Sequence, residues 1–156
     1  MQEEKLKHIE SVLRHIDLVQ SSTRLLGERL IESGQDKLGL ELIANGLIHD
    51  NSKFFGIELE YLTVAEGKSE AFELALHQHV TTNAHHPEYW SGIENMPDVY
   101  LCEMICDWHS RSNEFGSSLI EFFESKATAK FKFKKNSKVY KKIKKYINIL
   151  LNESFK

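Results

Sequence analysis

The stretch "LGLELIANGLIHD", residues 38–50, decides how this chain folds. Its apolar residues do not alternate as in a half-buried strand, and they extend too far for one, so they read as a helix from about Asp36 to Asp50. Because that helix is apolar nearly all round, it is expected to be central rather than peripheral. It nonetheless ends in an ionisable pair, His49 and Asp50, with Lys53 three places on. The pair is either a helix end turning into solvent or half of a metal site. Gly46 lies one turn before it, and a helical Gly costs on the order of 1 kcal/mol relative to Ala. Either something must approach the backbone there, or the glycine permits close packing of helices.

Outward from this helix, the pattern stays helical. Leu6, Ile9, Leu13, Ile16, Thr23 and Leu30 recur at helical spacing and predict one long amphipathic helix from Glu3 to about Glu32, broken by "SGQD". A short helix is expected over Ile57–Ala65, and Ser69 is a plausible cap for one running to about Val80. "TTNAHHPEYWSGIENMP" reads as irregular, with Pro87 opening a short helical turn. Asp98 is expected to cap a helix through about Ser112, and "SSLIEFFESK" gives another. The last, near Ser137–Leu151, places Tyr140, Ile143, Ile147 and Leu150 on one face and lysines on the other. Only "KFKFK" alternates like a strand, over too few residues to weigh much. The expected architecture is an all-α, bundle-like single domain over residues 1–156, with a core of 3–125 and a basic helical extension of 126–156.

Net charge conceals an asymmetry. Residues 1–125 hold 9 Lys/Arg against 22 Asp/Glu and residues 126–156 hold 11 against 1, so the two parts carry −13 and +10. A lysine run without interleaved Arg or a binding motif favours a solvated helix face over a nucleic-acid surface, which stays the alternative. No apolar run approaches the roughly 18–20 residues needed to span a bilayer, and the charged start "MQEEKLKHIE" lacks a signal-peptide core, so a cytoplasmic protein without a membrane partner is expected. Cys102 and Cys106, four apart on a helix, read as small buried hydrophobes.

Other ionisable residues stand in awkward places. His15 sits at the edge of the first helix's apolar stripe. On a wheel of residues 99–111, Glu103, Asp107, Ser110 and Arg111 share one narrow polar arc, which alone would suit a solvent strip with an Asp107–Arg111 pair. Between these lies "HQHVTTNAHH", with His77, His79, His85 and His86, half of the chain's eight histidines within ten residues. Imidazole and carboxylate together suit Fe, Mn, Co, Ni or Zn. The spacing matches neither a Cys-rich zinc site nor HExxH.

In chain order these residues read H…HD…H…H…D, and that order resembles the HD-domain superfamily of helical metalloenzymes. "HIDLVQ", "HDNSKF", "ALHQHVTTNAHHPEYW", "GIENM" and "EMICDW" are similar to a small family of uncharacterised HD-like proteins of bacteria and phages. The resemblance covers about residues 8–112, with a weaker echo through the C-terminal helix. It implies one or two divalent transition metal ions held by His15, His49, Asp50, His79, His86 and Asp107, with Asp50 shared between two ions. His85 could replace His86, since spacing does not separate neighbours in a loop. Lys53 matches a lysine that contacts substrate phosphate or a metal-bound anion, while Ser52 stands where many such proteins have Gly.

The function implied is hydrolysis of a phosphate ester, most simply a nucleotide, by water activated at the metal. His85, His77 or Glu58 would protonate the leaving group or orient water. Two rivals use the same helices: a di-iron oxygenase, and a non-catalytic domain that binds a nucleotide or a protein partner. Fold analogy supplies most of the word phosphohydrolase.

Overall fold

The computed structural model describes residues 2–64 and 67–153, and among these every regular element is helical. Helix α1 (Gln2–Glu32) would be roughly 45 Å long at the usual rise. Its first three turns bury nothing. Leu6 and Leu13, expected on the apolar stripe, are 55% and 46% exposed, and burial begins at His15 and Ile16. From there Val19, Thr23, Leu26 and Leu30 run into the core. The helix ends before Gly34, whose φ of +83° lies where a side chain would be strained.

Helix α2 (Asp36–Ile48) is not central, contrary to what its composition implies. It buries Gly39, Leu42 and Gly46, and leaves Leu40, Leu47 and Ile48 at 61%, 64% and 65% exposed. The cause is the close approach of α1. A Cβ on Gly39 would lie 2.4 Å from the Gly27 carbonyl oxygen, and one on Gly46 would lie 2.0 Å from Thr23 Oγ1. A helix pressed this tightly along one side turns its other faces outward, because apolar content says what can be buried, not what is. Gly46 is therefore a packing glycine, and Thr23 is what approaches it.

Between α2 and α3 (Glu70–Thr82) run a 3₁₀ turn, Asn51–Phe54, and a wider π-type turn, Glu58–Thr63. The latter stands where a short helix was expected; Ala65, its expected end, lies outside the described residues. Ser69 caps α3 by accepting from Phe72 N at 3.1 Å, and Pro87 opens a 3₁₀ turn, Pro87–Trp90. Helix α4 (Asp98–Phe115) starts after Pro97, and Asp98 does not cap it. Its carboxylate instead reaches across to the last helix, accepting from Lys142 Nζ and Tyr146 Oη, both at 2.6 Å.

Helix α5 (Leu119–Phe122) continues through wider turns into α6 (Thr128–Lys130). "KFKFK" ends that helix with Lys130 and continues as turn and irregular chain rather than as a strand. Helix α7 (Lys138–Leu151) is capped by Ser137, which accepts from Tyr140 N at 3.2 Å. It buries Tyr140, Ile143, Ile147 and Leu150 as expected, with Val139 and Tyr146 beside them, and turns Lys138, Lys141, Lys142 and Lys145 to solvent. One hydrophobic core joins α1, α4 and α7 around Leu26, Leu30, Ile105, Phe123, Ile143 and Ile147. Cys102 and Cys106 lie in it as free thiols that burial pushes up, so they act as small apolar side chains. Among the described residues no helix is long and apolar enough to cross a membrane.

Candidate metal centre

Residues far apart in the chain meet beside this core. α1 brings His15, the end of α2 brings His49 and Asp50, and α3 brings His79. The following loop brings His85 and His86, and α4 brings Asp107. Asp50, His79, His85 and His86 each offer a ligand atom within 4.8 Å of the others; so do His15, His49 and Asp50, and so do His49, His85 and Asp107. The first two groups share Asp50. Neighbouring imidazole centroids are 4.2 Å apart for His49–His85, 4.3 Å for His85–His86 and 4.9 Å for His79–His86. The pair that ends α2 is not a frayed terminus: His49 and Asp50 are 2% and 3% exposed. Asp50 makes the turn at φ 57°, a left-handed conformation that Asp tolerates better than most residues.

Three of the five clustered histidines have a carboxylate behind them. His15 Nδ1 donates to Glu114 at 3.1 Å, His49 Nδ1 to Glu103 at 2.9 Å, and His79 Nδ1 to Glu58 at 2.8 Å. An ionised carboxylate only accepts, so the proton belongs on Nδ1 and the Nε2 lone pair is directed to the centre. That is how ligating histidines are commonly held. The inward atoms are meanwhile left without partners. His15 Nε2, His49 Nε2, His85 Nε2 and Asp50 Oδ1 are buried and make no hydrogen bond. His15 Nε2 lies 2.9 Å from Asp107 Oδ1 without the alignment of such a bond. Buried polar atoms are nearly always satisfied, and four orphans distributed over these overlapping groups could hold a cation, with a donor set suited to first-row transition metals.

The charges agree. Burial alone would push the Asp50 carboxyl up, but contact with His85 and the Lys53 ammonium outweigh it and hold Asp50 well below the usual range. Asp107 is likewise held low against burial, chiefly by His15. Burial, then the neighbouring His85 and His79, holds His86 down to about 3, and burial lowers His79, so both are neutral donors at neutral pH. His49 is raised in spite of burial by its bond to Glu103. A raised imidazole is what a negative cluster produces, and metal binding releases such protons.

The expected catalytic residues are differently placed from their expected roles. Lys53 Nζ sits 2.6 Å from Asp50 Oδ2, with its side chain 14% exposed. Glu58 is 1% exposed, neither a surface residue nor one facing the centre, because its carboxylate is taken by His79 and by Ser52 Oγ at 2.7 Å. Ser52 also accepts from Asn83 Nδ2 at 3.0 Å, so the residue that departs from the HD pattern pins the partner of His79. His85 is inside the cluster with His86, not an alternative to it. His77 is exposed, away from the cluster. Most of the supposed solvent strip of α4 faces inward: Glu103 and Ser110 are buried, whereas Arg111 is exposed and pairs with Glu114 at 3.1 Å, not with Asp107. Glu103 and Glu114 are the functional positions that sequence reasoning missed. Their signal was weak: with Asp107 they recur along α4 at i, i+4 and i+11.

A cavity of about 610 Å³ reaches the cluster, with His85, His86 and Asp107 at its inner end and Arg111 and Lys130 among its other lining residues. Lys53 does not line it. No curated protein and no solved structure matches the chain. The family of unknown function DUF5662 matches residues 4–153, a span that holds every residue of the cluster, and the chain belongs to that family.

Proposed function

We propose that this protein is a metal-dependent phosphohydrolase acting on a phosphate ester, in the simplest case a nucleotide. One or two divalent transition metal ions would be held by His15, His49, Asp50, His79, His86 and Asp107, with His85 joining them and Asp50 shared. The observation that carries this reading is the set of orphaned Nε2 and Oδ1 atoms in a cluster that a cleft large enough for a ligand reaches through His85, His86 and Asp107. The order of these residues along the chain, which resembles the HD superfamily, supplies the reaction class.

A bound dication supplies Lewis acidity, lowering the pKa of water and offsetting charge on phosphoryl oxygens. The protein's own groups prepare the place. Glu114, Glu103 and Glu58 hold the protons of His15, His49 and His79 at Nδ1, and so fix each ring's direction. Lys53 keeps Asp50 ionised and oriented, a positioning role in place of contact with substrate. His85 serves as a ligand, because its Nε2 is 3.3 Å from Asp50 Oδ1 and has no hydrogen bond.

The test is elemental analysis of untagged protein purified without chelator, followed by hydrolysis of a panel of phosphate esters by protein reloaded with each metal. At least one transition metal per chain and metal-dependent release of phosphate are expected. Iron with oxygen consumption and no phosphate release would replace this reading with oxygenase chemistry. Absence of any metal would leave a binding domain.

A further inference from the structure

Helix α4 carries more than Asp107 into the cleft. Trp108, Arg111 and Phe115 line it as well, so a single helix runs from the metal cluster to the mouth. At the usual rise Arg111 lies about 6 Å and Phe115 about 12 Å along the axis from Asp107, the reach of a phosphate with one ring attached.

The walls are aromatic. Trp108 stacks on Phe131 with centroids 5.1 Å apart and planes 22° apart, and Phe131 also lines the cleft. Phe115 is 76% exposed, the most exposed large hydrophobic residue among those described, and it stands at this cavity. Lone exposed apolar residues are ordinary. One that shares a cleft with a stacked aromatic pair and a cationic side chain has a ligand to fit.

The cations point to the same class. Arg111 donates to Glu114 through Nη1, and a guanidinium has further N–H groups to offer an anion. Lys53 is committed to Asp50 and lies outside the cavity. Beyond the cluster, the charged lining residues are Arg111, Lys130 and Glu88, a net single positive charge. That suits one phosphate and opposes a polyphosphate.

We propose, building on the phosphohydrolase reading, that the substrate is an aryl or similarly apolar-ringed phosphomonoester, whose ring lies among Trp108, Phe115 and Phe131 and whose anion is held by Arg111. Lys53 takes no part in that contact.

The test is calorimetric titration of metal-loaded protein with 1-naphthylphosphonate and with methylphosphonate, neither of which can be hydrolysed. The naphthyl probe should bind about 30-fold more tightly, equivalent to about 2 kcal/mol. Phe115→Ser, on an exposed side chain, should cut that preference several-fold without touching methylphosphonate. Arg111→Gln should weaken both probes about tenfold at unchanged metal content, with partial rescue in Arg111→Lys. A fall in metal content would mean that Arg111 acts only through Glu114 and His15, and would overturn its assignment. Equal affinity for the two probes would overturn the ring site. Turnover of 1-naphthyl phosphate separates the two levels of the proposal. Tight, Phe115-dependent binding without turnover under any metal counts against hydrolysis and keeps the cleft's ligand class. Turnover of simple alkyl phosphates as fast as aryl ones keeps hydrolysis and sinks the ring site.

Discussion

Two buried regions of this molecule use α1 and α4 in opposite ways. Around Leu26, Leu30, Ile105, Ile143 and Ile147 the helices close a core of apolar side chains that need no polar partner. At its polar margin Asp98 takes both Lys142 and Tyr146. One end of the same helices encloses His15, His49, Asp50, His85 and Asp107, where buried donor atoms face each other without hydrogen bonds. The first region is complete as protein. The second gathers donor atoms that could hold a metal ion, whose charge would offset the cost of burying carboxylates and imidazoles. The difference separates what holds the fold together from what the fold is for.

The largest test of that contrast is to supply a divalent metal ion. A divalent metal at about a thousand times its dissociation constant stabilises by about 4 kcal/mol, which for a chain of this size raises Tm on the order of 10 °C. Thermal melts with and without chelator should show that gap for the native protein. Asp50→Ala, which removes the carboxylate shared by two groups of donors, should abolish most of the gap and most of the bound metal. Full metal retention in that variant would break the two-ion assignment.

The apolar region should respond to a different kind of damage. Ile143 is fully buried in α7, so Ile143→Ala should destabilise by about 3 kcal/mol through lost contacts and a cavity. Denaturant titrations of loaded and depleted protein should show the same loss, since the side chain touches only the apolar core. A loss confined to the loaded form would mean that the two regions are one cooperative site. Gly46→Ala probes the seam between them. Its new methyl would meet Thr23 Oγ1, and overpacking of this kind costs about 2 kcal/mol. Because α2 carries His49 and Asp50, metal affinity should fall as well, measured by competition with a chromophoric chelator. Unchanged affinity would show that the end of α2 is held by its ligands and not by its packing.

How much of this was legible in the sequence depends on whether a residue's role is local. Helices announced themselves by periodicity, and Ser69 by its place at the start of one, where it does cap α3. His15, His49 and Asp50 stood out because an ionisable group in apolar surroundings needs a reason, and Asp107 because it completes the order H…HD…H…H…D. Glu103 and Glu114 did not, because a narrow polar arc on a helical wheel looks the same whether it faces water or a polar interior. Leu40, Leu47 and Ile48 misled for the converse reason: the glycines that seat α2 against α1 decide its buried face, and they weigh nothing in a hydrophobicity count. Glu58 and Ser52 were opaque because their partners, His79 for Glu58 and Glu58 and Asn83 for Ser52, are brought to them only by the fold.

Asp98 is the plainest case of a long-range role hidden behind a local one, and it gives the smallest effect. An Asp at a helix start reads as a cap, but here its carboxylate accepts from Tyr146 and Lys142 on α7. Those bonds outweigh burial and lower its pKa below the ordinary 3.8. A depressed carboxyl contributes stability that is fully present above its unfolded value and is lost as pH falls through its folded value. Tyr146→Phe removes one of the two donors and should destabilise by about 1 kcal/mol at pH 7. The gap between native and variant protein should stay constant from pH 7 down to about 5 and shrink only below about 4, where Asp98 takes up its proton. Urea titrations of metal-depleted protein across that range measure it free of the ligand histidines' metal linkage. A gap that instead opened or closed between pH 5 and 7 would assign the coupling to a histidine, and the core's margin would then be tied to the cluster it is here held apart from.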